Sequence, residues 1–61
     1  MNKTFREFKK EVGNAGFYKY DYDTKKSLYG DCDNEIVVDY LYQPLNGIYT
    51  VYLKTKNIGN L

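Results

Sequence analysis

The chain has 61 residues, a formal net charge of +1, one cysteine and no histidine. A chain of this length forms at most one domain and buries only about 60% of the surface that its unfolded form exposes, so we expect marginal stability that self-association or a partner supplements. A lone cysteine excludes a disulfide within the chain, and the lack of histidine leaves no ligand set for zinc; no metal or cofactor is predicted. The thiol is typical of a reducing cytoplasm, and no apolar run predicts a signal peptide or a membrane span.

The small net charge conceals a division along the chain. Residues 1–19 carry five basic and two acidic side chains (+3), residues 20–39 two basic and six acidic (−4), and residues 40–61 two basic and none acidic (+2). The charge distribution is dipolar rather than basic, so it does not predict binding to duplex DNA.

The N-terminal segment predicts one short helix over residues 4–13. Thr4 and Glu7 have the spacing of a capping box, and Gly13 is suited to the helix end. The apolar residues recur at the spacing of one helix face: Phe5, Phe8 and Val12. The basic residues lie on the outer side: Arg6, Lys9 and Lys10. Two to three turns are not stable alone in water, so the helix must lie on a sheet.

Eight tyrosines occur at strand spacing: Tyr18, Tyr20, Tyr22, Tyr29, Tyr40, Tyr42, Tyr49 and Tyr52. Together with Val, Ile and Thr they predict strands at residues 17–23, 27–29, 35–43 and 48–56. The predicted fold class is therefore α+β, with one short N-terminal helix packed on a three- to four-stranded antiparallel β-meander in a single small domain, 1–61. Residues 57–61 have no periodicity and are expected to be frayed.

The loop that contains Pro44 and Gly47 predicts a hairpin, whose register depends on the turn. A two-residue turn pairs residue 45 with 48, and a four-residue loop pairs 43 with 48. Either register assigns the same residues to the helix-covered core face: Ile36, Val38, Tyr40, Tyr42, Tyr49, Val51 and Leu53. The opposite face then holds Val37, Asp39, Leu41, Thr50, Tyr52, Lys54 and Lys56. The face taken by the first three strand tyrosines stays open; pointing outwards, they would join Leu41 and Tyr52 in an exposed aromatic patch.

Enzymatic function is not predicted. Without histidine the commonest general base is missing, and the acids around Cys32 disfavour its thiolate, so a small apolar side chain is the better interpretation. Asp31, Asp33 and Glu35 have the offsets of the first ligands of a calcium-binding EF-hand loop. The glycine and the bidentate glutamate that such a loop needs are replaced by Ile36 and Tyr42.

The composition favours a non-enzymatic protein-binding module. Tyrosine supplies contact area at low entropic cost, and acidic residues around it complement the basic groove of a nucleic-acid-handling protein. The excess of lysine over arginine, eight to one, indicates an A/T-rich bacterium or its phage. The specific hypothesis is a phage or mobile-element inhibitor that blocks a host nucleic-acid enzyme, such as a defence nuclease, in the host cytoplasm, as anti-CRISPR proteins do. The predicted partner-binding residues are Tyr20, Asp21, Tyr22, Asp23, Asp31, Asp33 and Tyr52.

Two alternatives belong to other classes. The tyrosines and the basic helix could stack on and attract single-stranded nucleic acid, although the aspartates beside Tyr20 and Tyr22 would repel phosphates. Self-association through a strand edge would instead make the chain a structural subunit that forms a homodimer.

Overall fold

A computed structural model describes residues 3–54. The elements in chain order are α1 (Phe5–Val12), β1 (Gly16–Asp21), β2 (Ile36–Gln43) and β3 (Ile48–Lys54), which confirms the α+β class. No helix in this described part is long and apolar enough to cross a membrane. The predicted continuation of the last strand to residue 56, with Lys56 on its outer face, and the predicted frayed tail lie outside the described residues.

The helix α1 begins as its sequence predicts. The Thr4 side chain accepts a hydrogen bond from the Glu7 N–H (3.2 Å), and the Glu7 carboxylate accepts one from the Thr4 N–H (2.9 Å). Gly13, at φ 77°, ends the helix and donates its N–H to the Lys9 carbonyl at 3.0 Å. A cap of this kind stabilises a helix by about 1 kcal/mol, which matters in a helix of only eight residues.

The sheet is mixed, so the predicted antiparallel meander is wrong. Its strand order is β1-β3-β2, with β3 antiparallel to β2 and parallel to β1. The chain does reverse after β1, but the returning segment pairs with it through a single bridge, Tyr20 to Ser27, instead of the predicted strand at 27–29. Residues 22–35 then carry the chain to the opposite edge of the sheet, where β2 pairs with β3. The apolar strand β3 consequently takes the buried central position.

The hairpin uses the four-residue loop, with Gln43 opposite Ile48, and contains a β-bulge that changes the face assignment. The register shifts between Val37 and Asp39, so Val38 is an extra residue without a partner. Val37 consequently points into the core, where it is fully buried opposite Leu53. The prediction that Val37 faces outwards and Val38 inwards is therefore wrong, because one inserted residue reverses every assignment on one side of it.

The core lies between α1 and the sheet. Its buried residues are Phe5, Phe8, Cys32, Val37, Val51 and Leu53. Tyr40 and Tyr49 contact Phe8 on this side of the sheet, with ring centroids 5.0 and 5.4 Å away. Tyr40 and Tyr42 were predicted to be covered by the helix, yet they are 42% and 46% exposed. An eight-residue helix is only about 12 Å long, so it does not reach the far half of the hairpin.

Candidate protein-binding surface

The strand β1 turns its phenylalanine towards the helix and its tyrosines away from it. Phe17 packs edge-on against Phe5, with ring centroids 5.3 Å apart. Tyr18 and Tyr20 are in register with Thr50 and Tyr52 of β3, on the opposite face of the sheet. A phenyl ring has no polar atom to satisfy, whereas a tyrosine ring can keep its hydroxyl in water. The face taken by these two tyrosines, which the sequence leaves open, is thus the one away from α1.

We call this surface the outer face, and it consists of Tyr18, Tyr20, Asp39, Leu41, Thr50 and Tyr52. The rings of Tyr20 and Tyr52 lie 5.9 Å apart at its centre. Thr50 between the strands is only 9% exposed, whereas Tyr18 and Leu41 on its two sides are 52% and 59% exposed. No helix or strand within residues 3–54 covers this face. It is an aromatic and apolar surface in contact with solvent.

One end of the outer face carries a fixed ammonium group. Lys25 lies in the turn after β1 and has a positive φ of 62°. Its Nζ is 4.3 Å from the ring centroid of Tyr22 and 4.9 Å from that of Tyr52, and it donates a hydrogen bond to the Tyr22 carbonyl at 2.6 Å. Contacts with two ring faces hold a cation by cation–π attraction. The positive charge is therefore placed on the aromatic surface rather than extended into water.

The two aspartates of the same turn are engaged in local contacts. The Asp21 carboxylate accepts hydrogen bonds from the Thr24 N–H (2.8 Å), the Asp23 N–H (3.0 Å) and the Thr24 hydroxyl (3.1 Å). The bond from the Thr24 N–H is the main cause of the lowered pKa of Asp21. Asp23 forms an ion pair with Lys54 at 2.9 Å, which raises the pKa of that lysine. These carboxylates close the turn and neutralise a lysine.

The other two predicted aspartates lie beside the helix. Asp33 pairs with Lys9 at 2.6 Å and Arg6 at 3.8 Å, and the hydrogen bond from Lys9 is the main cause of its lowered pKa. Asp31 accepts a hydrogen bond from the Asp33 N–H at 2.9 Å. The carbonyl of Asp33 also accepts the N–H of Arg6 in the first helical turn (3.2 Å). This loop therefore fixes the start of the helix.

The structure accordingly divides the seven predicted residues into two groups. Five are at one end of the outer face or in the turn next to it: Tyr20, Asp21, Tyr22, Asp23 and Tyr52. Of the remaining two, Asp33 is paired with Lys9 of the helix, and Asp31 accepts the N–H of Asp33. The seven predicted residues omit five that lie on or beside the outer face: Tyr18, Lys25, Asp39, Leu41 and Thr50. Position 17 is phenylalanine, whereas the other aromatic residues of β1 are tyrosines, and this difference is a sequence signal that residue 17 faces the core. No local sequence pattern indicates the contacts of Lys25.

The same geometry separates the basic residues of the helix from the tyrosines of the outer face. Arg6 and Lys9 are on the helix side, paired with Asp33, whereas Tyr18 and Tyr20 are on the outer face. Phosphates attracted by this part of the helix would not meet bases stacked on these tyrosines.

Two further chemical features are the Cys32 thiol and the acidic side chains. Burial raises the pKa of the Cys32 thiol, whose Sγ lies 3.8 Å from the Gly30 carbonyl in the core; a buried thiol of raised pKa is a poor nucleophile. Within residues 3–54 no three acidic or sulfur side chains are grouped to hold a metal ion.

Comparison of the chain with protein-family models, with curated proteins and with solved structures finds no match to any of them.

Proposed function

We propose that this protein is a non-enzymatic protein-binding module that contacts its partner through the outer face. The observation that carries the proposal is the exposure of Tyr18 and Leu41 on a sheet face that also presents Tyr20 and Tyr52. Contiguous exposed apolar surface of this type marks interaction sites, and tyrosine is enriched among the residues that dominate binding energy.

In its most specific form, the proposal is a phage or mobile-element inhibitor of a host nucleic-acid enzyme. The excess of lysine over arginine, which indicates an A/T-rich genome, and the acidic middle of the chain support it. The ion pairs of Asp23 with Lys54 and of Asp33 with Lys9 reduce the negative charge available to a basic groove. The tyrosine contact area therefore carries this proposal further than phosphate mimicry does.

The experiment is a pull-down from bacterial lysate with matched pairs of lysine substitutions. The double variant Tyr18→Lys/Leu41→Lys alters the outer face at its two most exposed apolar positions. The control Tyr42→Lys/Leu45→Lys makes the same charge change at exposed apolar positions that are not on the outer face. Circular dichroism verifies that both variants fold. Because one hot-spot residue contributes about 2 kcal/mol or more, we expect the outer-face variant to retain its partner about 30-fold less well or worse, and the control to retain it normally.

Equal retention by the outer-face variant and the wild type would contradict the proposal.

Changing Asp21, Asp23, Asp31 and Asp33 together to Asn tests the acidic mimicry separately, since unaffected binding would leave the tyrosines alone as the contact. A salt-dependent gel shift with single-stranded DNA that needs Lys9 and Lys10 would favour the nucleic-acid alternative. A dimer at micromolar concentration would favour the structural subunit.

A further inference from the structure

Two opposite charges flank Tyr52 on the outer face, and they indicate a second occupant for it; this inference rests on the proposed function, in which that face is the contact surface. Lys25 follows β1, and its ammonium lies 4.9 Å from the ring centroid of Tyr52. Asp39 is in register with Tyr52 from the other side, on β2. Both charged side chains are exposed, and within residues 3–54 neither takes part in an ion pair.

Both charged groups keep hydrogen-bonding capacity for a partner. The Lys25 Nζ donates to the Tyr22 carbonyl, and an ammonium group has three N–H donors. Oδ1 of Asp39 accepts the Tyr40 N–H at 2.8 Å, and a carboxylate has a second oxygen with free acceptor sites. An ion pair across an interface therefore breaks neither contact.

The strand register arranges the outer face in two rows that cross all three strands: Tyr18–Thr50–Leu41 and Tyr20–Tyr52–Asp39. In each row the residue of β3 is central, so a two-fold rotation about an axis along β3 exchanges the two outer positions. A second copy placed face to face by this rotation sets its Leu41 over Tyr18 and its Asp39 over the side of β1, where Lys25 lies. Since the interface is isologous, the reverse contacts are the same.

The charges favour this axis over an axis that crosses the strands. Rotation about a crossing axis sets Lys25 over Lys25 and Asp39 over Asp39 or, displaced by one row, sets these charges over Tyr18 and Leu41. Like charges in contact cost affinity, and a charge covered by apolar side chains loses its hydration without gaining a partner. Rotation about β3 instead gives two identical ion pairs. It also keeps the strands of the two sheets nearly aligned, as twisted sheets pack within about 30° of each other.

The size of the outer face makes such an association weak. β1 and β2 lie on either side of β3, about 10 Å apart, and the seven residues of β3 extend about 23 Å. With half a strand spacing added on each side, two such faces cover about 700 Å² in projection. Stable specific interfaces bury about 1,200–2,000 Å², and smaller contacts are typical of transient complexes. A partner that binds the face more tightly therefore displaces the second copy.

We propose that the outer face pairs with the outer face of a second copy in a weak symmetric homodimer, with the two-fold axis along β3 and the Lys25 ammonium of each copy paired with the Asp39 carboxylate of the other. Tyr52 meets Tyr52 of the second copy at the axis. The dimer covers the apolar face at high protein concentration, and the partner of the proposed function competes for the same surface. This contact joins two faces, whereas the structural-subunit alternative joins strand edges.

Sedimentation equilibrium between about 10 µM and about 1 mM protein covers the range of a transient contact and measures the dimer. Lys25→Glu and Asp39→Lys each replace two ion pairs by two repulsions, so we expect each variant to dimerise about tenfold more weakly than the wild type. Lys26→Glu makes the same charge change at the next residue and should dimerise normally. Circular dichroism verifies that each variant folds.

Mixtures of the variants separate the ion pairs from net charge. An equimolar mixture of Lys25→Glu with Asp39→Lys has one original pair and one of reversed polarity, so it should form heterodimers about as well as the wild type forms homodimers. A mixture of Lys26→Glu with Asp39→Lys has the same net charges, but one of its contacts joins two ammonium groups. We expect it to associate more weakly.

Three results would overturn the inference: no dimer at the highest concentration, equal effects of Lys25→Glu and Lys26→Glu, and equal association in the two mixtures. A dimer at micromolar concentration that survives Tyr18→Lys/Leu41→Lys would also overturn it, because that dimer would use a strand edge. A monomeric protein whose pull-down depends on the outer face would refute this inference and leave the proposed function intact. A pull-down indifferent to the outer face, together with the expected heterodimer, would refute the proposed function and support the dimer.

Discussion

At the scale of single residues, aromatic side chains divide by their polar atom. Phe5 and Phe8 are buried, and Phe17 packs against them from the sheet. The tyrosines on both sides of the sheet keep part of the ring in water, as Tyr18 does on the outer face. A hydroxyl without a buried partner costs about 1–3 kcal/mol when it is desolvated, so the phenylalanines take the interior and the tyrosines the surface.

The turn after β1 predicts a pH dependence of stability. Hydrogen bonds, chiefly from the Thr24 N–H, hold the pKa of Asp21 below its ordinary value of 3.8 in the folded state. A depressed pKa means that this stabilisation is fully present above the unfolded-state pKa and is lost as the pH falls through the folded-state value. We expect Asp21→Asn to lower the melting temperature at pH 7, and the curves of the wild type and the variant to converge as the pH falls through the folded-state pKa of Asp21. Thermal unfolding followed by circular dichroism from pH 2 to 7 measures this.

The hydrogen bond from Lys9 likewise lowers the pKa of Asp33. The variant Asp33→Asn and the double variant with Asp21→Asn separate the two contributions. The melting temperature of the double variant should fall least as the pH is lowered. Curves of wild type and Asp21→Asn that stay parallel down to pH 2 would show that the turn contacts do not stabilise the charged carboxylate.

At the scale of elements, the β-bulge in β2 determines which valine completes the core. Val37 is fully buried opposite Leu53, and its N–H donates to the Lys3 carbonyl at 2.9 Å, which joins the segment before α1 to the sheet edge. Val38 is the extra residue and is only partly buried. The bulge thus lets the N-terminal end of β2 pack under the helix while the rest of the strand keeps the hairpin register.

Paired alanine substitutions distinguish this arrangement from a regular strand. Val37→Ala removes two fully buried methyl groups and leaves a cavity, so it should reduce the free energy of unfolding by about 2–3 kcal/mol. Val38→Ala should cost less than about 1 kcal/mol. Urea denaturation of both variants measures the difference. A larger loss for Val38→Ala would mean that β2 alternates without a bulge.

At the scale of the whole molecule, local signals predict the helix, its capping box and the hairpin because each depends on residues a few positions apart. Thr4 with Glu7 and Pro44 with Gly47 are of this kind. The parallel pairing of β1 with β3 joins residues far apart in sequence, such as Tyr20 and Tyr52. It depends on which strand takes the central position of the sheet, and no local pattern determines that choice. The site inherits this limit, since the contact of Lys25 with Tyr52 exists only once β1 has been placed beside β3.

The small size of the molecule makes its stability a sensitive measure of binding. A partner that binds only the folded state adds about 2.7 kcal/mol at a concentration of 100 times its dissociation constant. For a domain of this size each kcal/mol raises the melting temperature by about 4–8 °C, so we expect a rise of about 10–20 °C with the captured partner. Tyr18→Lys/Leu41→Lys alters exposed side chains, so its own melting temperature should change little while the ligand-induced rise disappears. An equal rise in the wild type and this variant would place the binding surface elsewhere, because the ligand-induced rise depends on the affinity of the ligand for the folded state.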